Sequence, residues 1–232
     1  MVCELAEPLT VRRTVAVSSA VRDGSIEVEG MRAELASSAE DAAARARQGV
    51  VGVVVSPGLP DLGADVIVDA RVAKRNIDTS ITDGELVIGV GPGFTAGADC
   101  HAVVETQRGH HLGRVLWHGD AAADTGTPGI VEGRGRERVL RAGADGTVAW
   151  VGAIGDLVSE GEVLGSVGGV ELVAPFDGLV RGLIAEGIEV PAGTKVGDID
   201  PRLDLSACNE ISDKALSVGG GAVEAVLTWL SR

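Results

Sequence analysis

"AGADGTVAWVGAIGDLVSEGEVLGSV" (142–167) and "APFDGLVRGLIAEGIEVPAGTKVGDI" (174–199) align without a gap at an offset of 32 residues. Asp145-Gly146 falls on Asp177-Gly178, Val148 on Val180, Gly155 on Gly187, and Val158 on Val190. Gly161 falls on Gly193, and Gly165 on Gly197. Each copy reads as short apolar strands separated by glycine turns. A copy this small cannot close its own core, so the two are expected to interlock as a two-fold β-sandwich-barrel.

That pattern resembles the biotinyl/lipoyl domains, the barrel-sandwich hybrid. Carriers of that type expose a modified lysine on the hairpin joining the halves. Here the joint is "SVGGVEL" (166–172), which has no lysine. The resemblance therefore implies the fold of residues 138–202 and not the swinging arm. No biotin or lipoyl attachment is expected, and the module reads as structural or as a docking element.

Upstream, strand and helix patterns alternate. "MVCEL" is a short apolar strand, and "PLTVRRTVAVSSAVRDG" reads as helical to about Val21, stopping at Asp23-Gly24. "SIEVEGMRAEL" has period two and predicts a hairpin around Gly30. "SAEDAAARARQG" is the strongest helix signal, with Ser38 as N-cap, acids in the first turn and Gly49 as the stop. "VVGVVV", "DVIVDA" and "ELVIGVGPG" are buried strands, and "HAVVET" and "LGRVLWHG" are strand-like. This order predicts an α/β domain over residues 1–118 with an incomplete Rossmann-like parallel sheet. A polar linker follows over 119–137, then the repeat at 138–202 and a helical segment at 203–232. In the tail, Val223, Val226, Leu227 and Leu230 have helical spacing, with a break expected at Gly219-Gly220-Gly221.

Composition limits function. The net charge is −14, which argues against nucleic acid and against an anionic membrane surface. Only three lysines occur: Lys74, Lys195 and Lys214. Cys3, Cys100 and Cys208 are far apart and form no C-x-x-C pair, which argues against a disulfide framework or a zinc ribbon. Reduced thiols, with neither a signal peptide nor an apolar run of membrane length, predict a cytoplasmic protein.

Three of the four histidines fall within "GADCHAVVETQRGHHLGRV" (97–115). On a strand His101 and Glu105 share a side but stand roughly 13 Å apart, so one metal cannot take both. A metal on Cys100, His101 and His110 needs the loop at 107–111 to fold back. Otherwise these are polar residues at strand ends around a cleft. Gly91, Gly93 and Gly97 follow a strand, where exposed N–H groups can cradle an anion or simply form a tight turn. Arg71, Lys74 and Arg75, with Asn76 beside them, share a face if their segment turns helically. They are either anion partners or a salt-bridge cluster with nearby Asp residues.

Together, "DVIVDARVAKRNIDTSITDGELVIGVGPGFTAGADCHAVVETQRGHHLGRVLW", "VGDIDPR" and "SDKALSVGGGAVEAVL" resemble the YqeB-type accessory proteins of the selenium-dependent molybdenum hydroxylase system. The resemblance implies a maturation factor that binds an anionic ligand, a cofactor or the apo-enzyme. The alternatives are a metal-dependent small-molecule enzyme and a non-catalytic adapter. The site residues would be Arg71, Lys74, Arg75, Asn76, Gly91, Gly93, Gly97, Cys100, His101, Glu105, Arg108 and His110. The cofactor stays open between the molybdenum cofactor and a selenium species, the latter carried on Cys100. Partners would be the molybdenum hydroxylase apo-enzyme or other maturation factors, and a homo-oligomer is left open. Longer members of this type begin with a strand, a G-G-D-L-A-type turn and a helix before "VCELAEPLTVRRTV". This chain is expected to lack that first βα unit, of about 25–30 residues, through a late start or a loss.

Overall fold

The computed structural model describes residues 1–61, 63–127 and 129–232. Leu62, in the expected α/β domain, and Pro128, in the expected linker, lie outside the described residues. The protein is mixed α/β, with several sheets and a C-terminal helix. It divides into two units: Met1–Pro60 with Pro128–Ile211, and Asp61–Thr127 with Ser212–Arg232. The boundaries read at 118 and 138 run along the chain, whereas each unit gathers two separate stretches of it.

In the first unit, β1 (Val2–Glu4), β2 (Ser25–Val28), β3 (Met31–Ala36) and β4 (Val51–Val55) form one sheet in the order β1-β4-β3-β2. The segment expected to be one helix up to Val21 is instead two 3-10 turns, Arg13–Val15 and Val17–Ser19, and a helical turn, Ala20–Asp23. Its β-branched residues disfavour a continuous helix. The β2–β3 hairpin closes with Val28 opposite Met31, so Glu29 and Gly30 both take positive φ, as a two-residue hairpin turn demands. The helix Ala39–Ala46 is capped where expected, with Ser38 accepting from the Asp41 N–H.

In the second unit, β5 (Val66–Asp69), β6 (Leu86–Val90), β8 (Ala102–Val104) and β9 (Val115–Leu116) form a sheet in that order. The first three strands are parallel and β9 is antiparallel. A small pair, β7 (Thr95–Ala96) and β10 (Gly119–Asp120), lies apart. The strands of residues 1–118 thus fall into two four-stranded sheets and, through β7, a small third one, rather than the single sheet expected. Each sheet finds its own cover, and the second takes it from far along the chain. Val87 and Val103 pack with Phe94, Ala96, Cys100 and Ala121. Leu86, Ile88 and Val104 pack against Ala225, Val218, Val226 and Trp229 of the helix Asp213–Leu230.

That helix runs unbroken through Gly219-Gly220-Gly221. Gly221 is the tight point: a Cβ there would lie 2.3 Å from the Gly113 oxygen and 2.8 Å from Val104 Cγ1. Of the four apolar residues spaced in the tail, only Val226 packs on the sheet; Val223, Leu227 and Leu230 are exposed.

Returning to the first unit, the repeat supplies β11 (Val139–Arg141), β12 (Gly146–Trp150), β13 (Leu157–Val158), β14 (Val163–Val167), β15 (Val170–Val173), β16 (Gly178–Leu183), β17 (Glu189–Val190) and β18 (Lys195–Asp200). They form two antiparallel sheets, β11-β18-β16-β13 and β15-β14-β12-β17. The repeat offset carries each strand of one sheet onto a strand of the other, so each sheet takes two strands from each copy. Seventeen buried residues from both sheets, Leu164, Leu183 and Ile199 among them, form one core.

This region also buries charge, which no local pattern along the chain announces. Asp200 is fully buried and accepts from Arg202 through the backbone N–H, Nε and Nη2 at 3.0, 2.9 and 2.7 Å. Arg138 and Arg181 approach Asp198 at 3.5 and 3.4 Å, and Asp200 at 3.8 and 3.7 Å. Burial alone would raise Asp200, but the Arg202 hydrogen bonds and the surrounding cations hold it below the usual carboxylate range.

Candidate functional site

In an open sheet the loops leaving the carboxyl ends of parallel strands gather ligands. Here β5, β6 and β8 end at Asp69, Val90 and Val104. Residues 70–79, 91–97 and 105–114 leave from those ends, and they hold ten of the twelve residues singled out from sequence. Cys100 and His101 are the exceptions. They precede β8 and belong to its opposite end.

Residues 70–79 contain no helix, so Arg71, Lys74 and Arg75 do not share a helical face. Val72 and Lys74 have positive φ. Arg71 turns back on its own strand instead. Its Nε donates to both Asp69 oxygens at 3.1 Å, and Nη2 reaches Asp69 and Asp78 at 2.6 Å each. Thr79 donates to Asp69 at 2.6 Å, and Asn76 bonds both backbone groups of Thr79. Burial would raise Asp69, yet Arg71 and Thr79 outweigh it and hold its carboxyl low. Lys74 reaches Asp124 at 2.7 Å. Of the two readings left open for these cations, the salt-bridge cluster describes Arg71 and Lys74; Arg75 has no ion pair among the described residues.

The glycine loop is filled by the protein itself. Gly91 N–H donates to the Val104 carbonyl, Gly97 N–H to that of Cys100, and Thr95 N–H to Asp99. A Cβ on Gly93 would lie 2.4 Å from Arg75 Cα, and Asn76 N–H donates to the Gly93 oxygen. The N–H groups of Gly91, Thr95 and Gly97 are therefore committed within the protein and are not free to cradle a phosphate.

The third loop is clamped more firmly. Glu105 is buried, and its two oxygens accept from Gln107 N–H and Ala122 N–H at 2.7 Å each. Arg108 forms a bidentate pair with Asp213 at 2.6 and 2.8 Å, joining the loop to the first turn of the C-terminal helix. Next along is Lys214, which the sequence reading passed over. Loss of solvation, then Arg108, pushes its ammonium below the usual lysine range, against the pull of Glu105. The signal was there in composition: two of only three lysines, Lys74 and Lys214, lie at this edge. His110 and His111 stack edge to face at 5.1 Å, and both are exposed.

His101 Nδ1 accepts the Val87 N–H at 3.0 Å, and His101 N–H donates to the Val87 oxygen, so this side chain caps the start of β6. Cys100 is fully buried, and desolvation pushes its thiol up to about 11. A buried protonated thiol does not fit a selenium adduct. The metal candidates Cys100, His101 and His110 are divided between the two ends of β8. Among the described residues no three His, Cys, Asp or Glu side chains converge on a metal-sized point. Nor is any helix, among those residues, long and apolar enough to cross a membrane.

This edge holds the Lys74–Asp124 and Arg108–Asp213 pairs, Lys214 with no ion pair among the described residues, and the N-terminus of an 18-residue helix. A helix N-terminus carries about half a positive charge and favours anions.

No family model matches the chain. Among solved structures, an aspartoacylase family protein from Mesorhizobium loti is 17% identical, covering 27% of this chain and 22% of that one, at a TM-score of 0.25, too slight a likeness to bear on the fold. Over 227 residues the chain is 44% identical to the uncharacterized protein YqeB of Escherichia coli (strain K12). The match takes in 97% of this chain and 42% of that protein, so the chain spans less than half the length of this relative. The alignment spans nearly the whole of this chain and supports the YqeB-type family.

Proposed function

We propose that this chain is an accessory factor in the maturation of selenium-dependent molybdenum hydroxylases, and that it works by binding a compact anion at the carboxyl edge of β5, β6 and β8. The observation that supports it is the convergence of Lys74, Arg108 and Lys214 on the N-terminus of the C-terminal helix, in a chain whose net charge is −14. Lys214 supplies the charge, Arg108 holds the loop against the helix, and Glu105 fixes the loop's path. The maturation role rests on the family likeness. A Rossmann-like reading of this parallel sheet, and a barrel-sandwich reading of the two interlocked sheets, belong to the same proposal. The hairpin between β14 and β15 turns at Gly168-Gly169, which suits a docking module rather than a carrier.

The test is made in cells lacking the gene, by measuring the activity and selenium content of their molybdenum hydroxylase. Deletion should lower both, and the wild-type chain should restore them. Lys214→Gln, on an exposed residue, should fold normally and restore about tenfold less. A hydroxylase that is fully active without this protein sinks the maturation role. Full rescue by Lys214→Gln sinks the assignment of the site.

A further inference from the structure

The first unit holds a cleft of about 170 Å³ that the edge described above does not use. It is lined by Arg13, Arg22, Glu7 and Asp23 on the polar side and by Ala185 and Ile188 on the apolar side. Arg13 Nε is buried and has no hydrogen-bond partner among the described residues. A buried polar group left unpaired is costly, and a charged one more so. No ion pair within the described residues joins any of these four charged side chains to another group. Two cations and two carboxylates therefore face one cleft without neutralising each other. Ser18 and Thr10 also line it, their hydroxyls 2.9 Å apart.

We infer that this cleft binds a small zwitterion, a free α-amino acid the size of glycine or alanine. The lining carries no net formal charge, so a dianion such as phosphate meets Glu7 and Asp23 as well as the arginines. A zwitterion satisfies both signs: its carboxylate accepts from Arg13 Nε and from Arg22, and its ammonium donates to Glu7 and Asp23. Arginine recognises carboxylates through paired N–H donors, and Nε is one of them. Size fits as well. At roughly 30 Å³ per water-sized group the cleft takes about half a dozen such groups, and a methyl side chain would rest on Ala185 and Ile188.

Calorimetric titration of the full chain tests this with L-alanine, glycine, propionate, ethylamine and inorganic phosphate. Alanine or glycine should bind saturably, with propionate and ethylamine each about tenfold weaker or worse. Arg13→Gln and Arg22→Gln should each weaken alanine by about tenfold or more, with circular dichroism unchanged. Should Arg13→Gln fail to fold, the exposed Arg22→Gln carries the test. The inference is overturned if neither amino acid saturates by tens of millimolar, if propionate or phosphate binds as tightly, or if Arg22→Gln leaves alanine binding intact.

Discussion

The interlocked sheets of residues 139–200 and the parallel sheet of residues 66–116 use the same ion-pair chemistry in opposite ways. In the first, Arg138, Asp198 and Asp200 are all buried, and Asp200 keeps no exposed surface. In the second, the Lys74 and Arg108 side chains stay 54% and 50% exposed; Lys74 pairs with Asp124 from loop to loop, and Arg108 pairs from its loop with Asp213 in the first turn of the C-terminal helix. Taking charges out of water is costly, and their attraction repays it only where every lone pair is met. Exposed pairs are worth about 0–1 kcal/mol and are easily rearranged. The difference teaches where function can sit. Charge locked inside specifies one structure, and charge held loosely at a strand's end is free to meet a ligand.

Asp200→Asn breaks the comparison most sharply. It leaves Arg138, Arg181 and Arg202 facing a neutral amide, and urea denaturation should show a loss of about 3–5 kcal/mol. The glycines of the C-terminal helix come next. Gly221→Ala forces a methyl onto the Gly113 backbone, and overpacking of this kind costs about 1–3 kcal/mol. Gly220 has open space around its Cβ position, so Gly220→Ala should instead gain up to about 1 kcal/mol from helix propensity. Equal effects at the two positions would mean that Gly221 does not seat the helix on β8.

The smallest effect is a matter of acid. Asp69 and Asp200 are both held below their ordinary range. A depressed carboxylate contributes stability that is present above its unfolded value, about 3.9, and lost as pH falls through the lower folded value. Arg71, the partner of Asp69, is 41% exposed, so solvent screens that contribution. Hydrogen exchange across an acid titration should therefore show Asp200→Asn flattening the pH dependence of the first unit more than Asp69→Asn flattens that of the second. The reverse order would remove the distinction between locked and loose charge.

Much of the fold was legible in local pattern. Ser38 and Gly49 bracketed their helix, and period two with Gly30 gave the β2–β3 hairpin. Ten of the twelve singled-out residues lie in loops at one sheet edge because each follows a strand whose apolar run ends there. What stayed hidden was pairing at a distance. Arg108 meets Asp213 across 105 residues, and Arg138 meets Asp198 across 60. Nothing in the neighbourhood of Lys214 says that a loop a hundred residues away will press on it.

The sequence by itself determined the repeat, the strands and the glycine turns, because periodicity and backbone freedom act over a few residues. Only the tertiary structure decided that the strands of the first 118 residues divide among three sheets, that three glycines stay helical, and that His101 Nδ1 accepts a hydrogen bond at the start of β6. Those outcomes depend on which surfaces bury each other, and burial is settled by the whole chain at once.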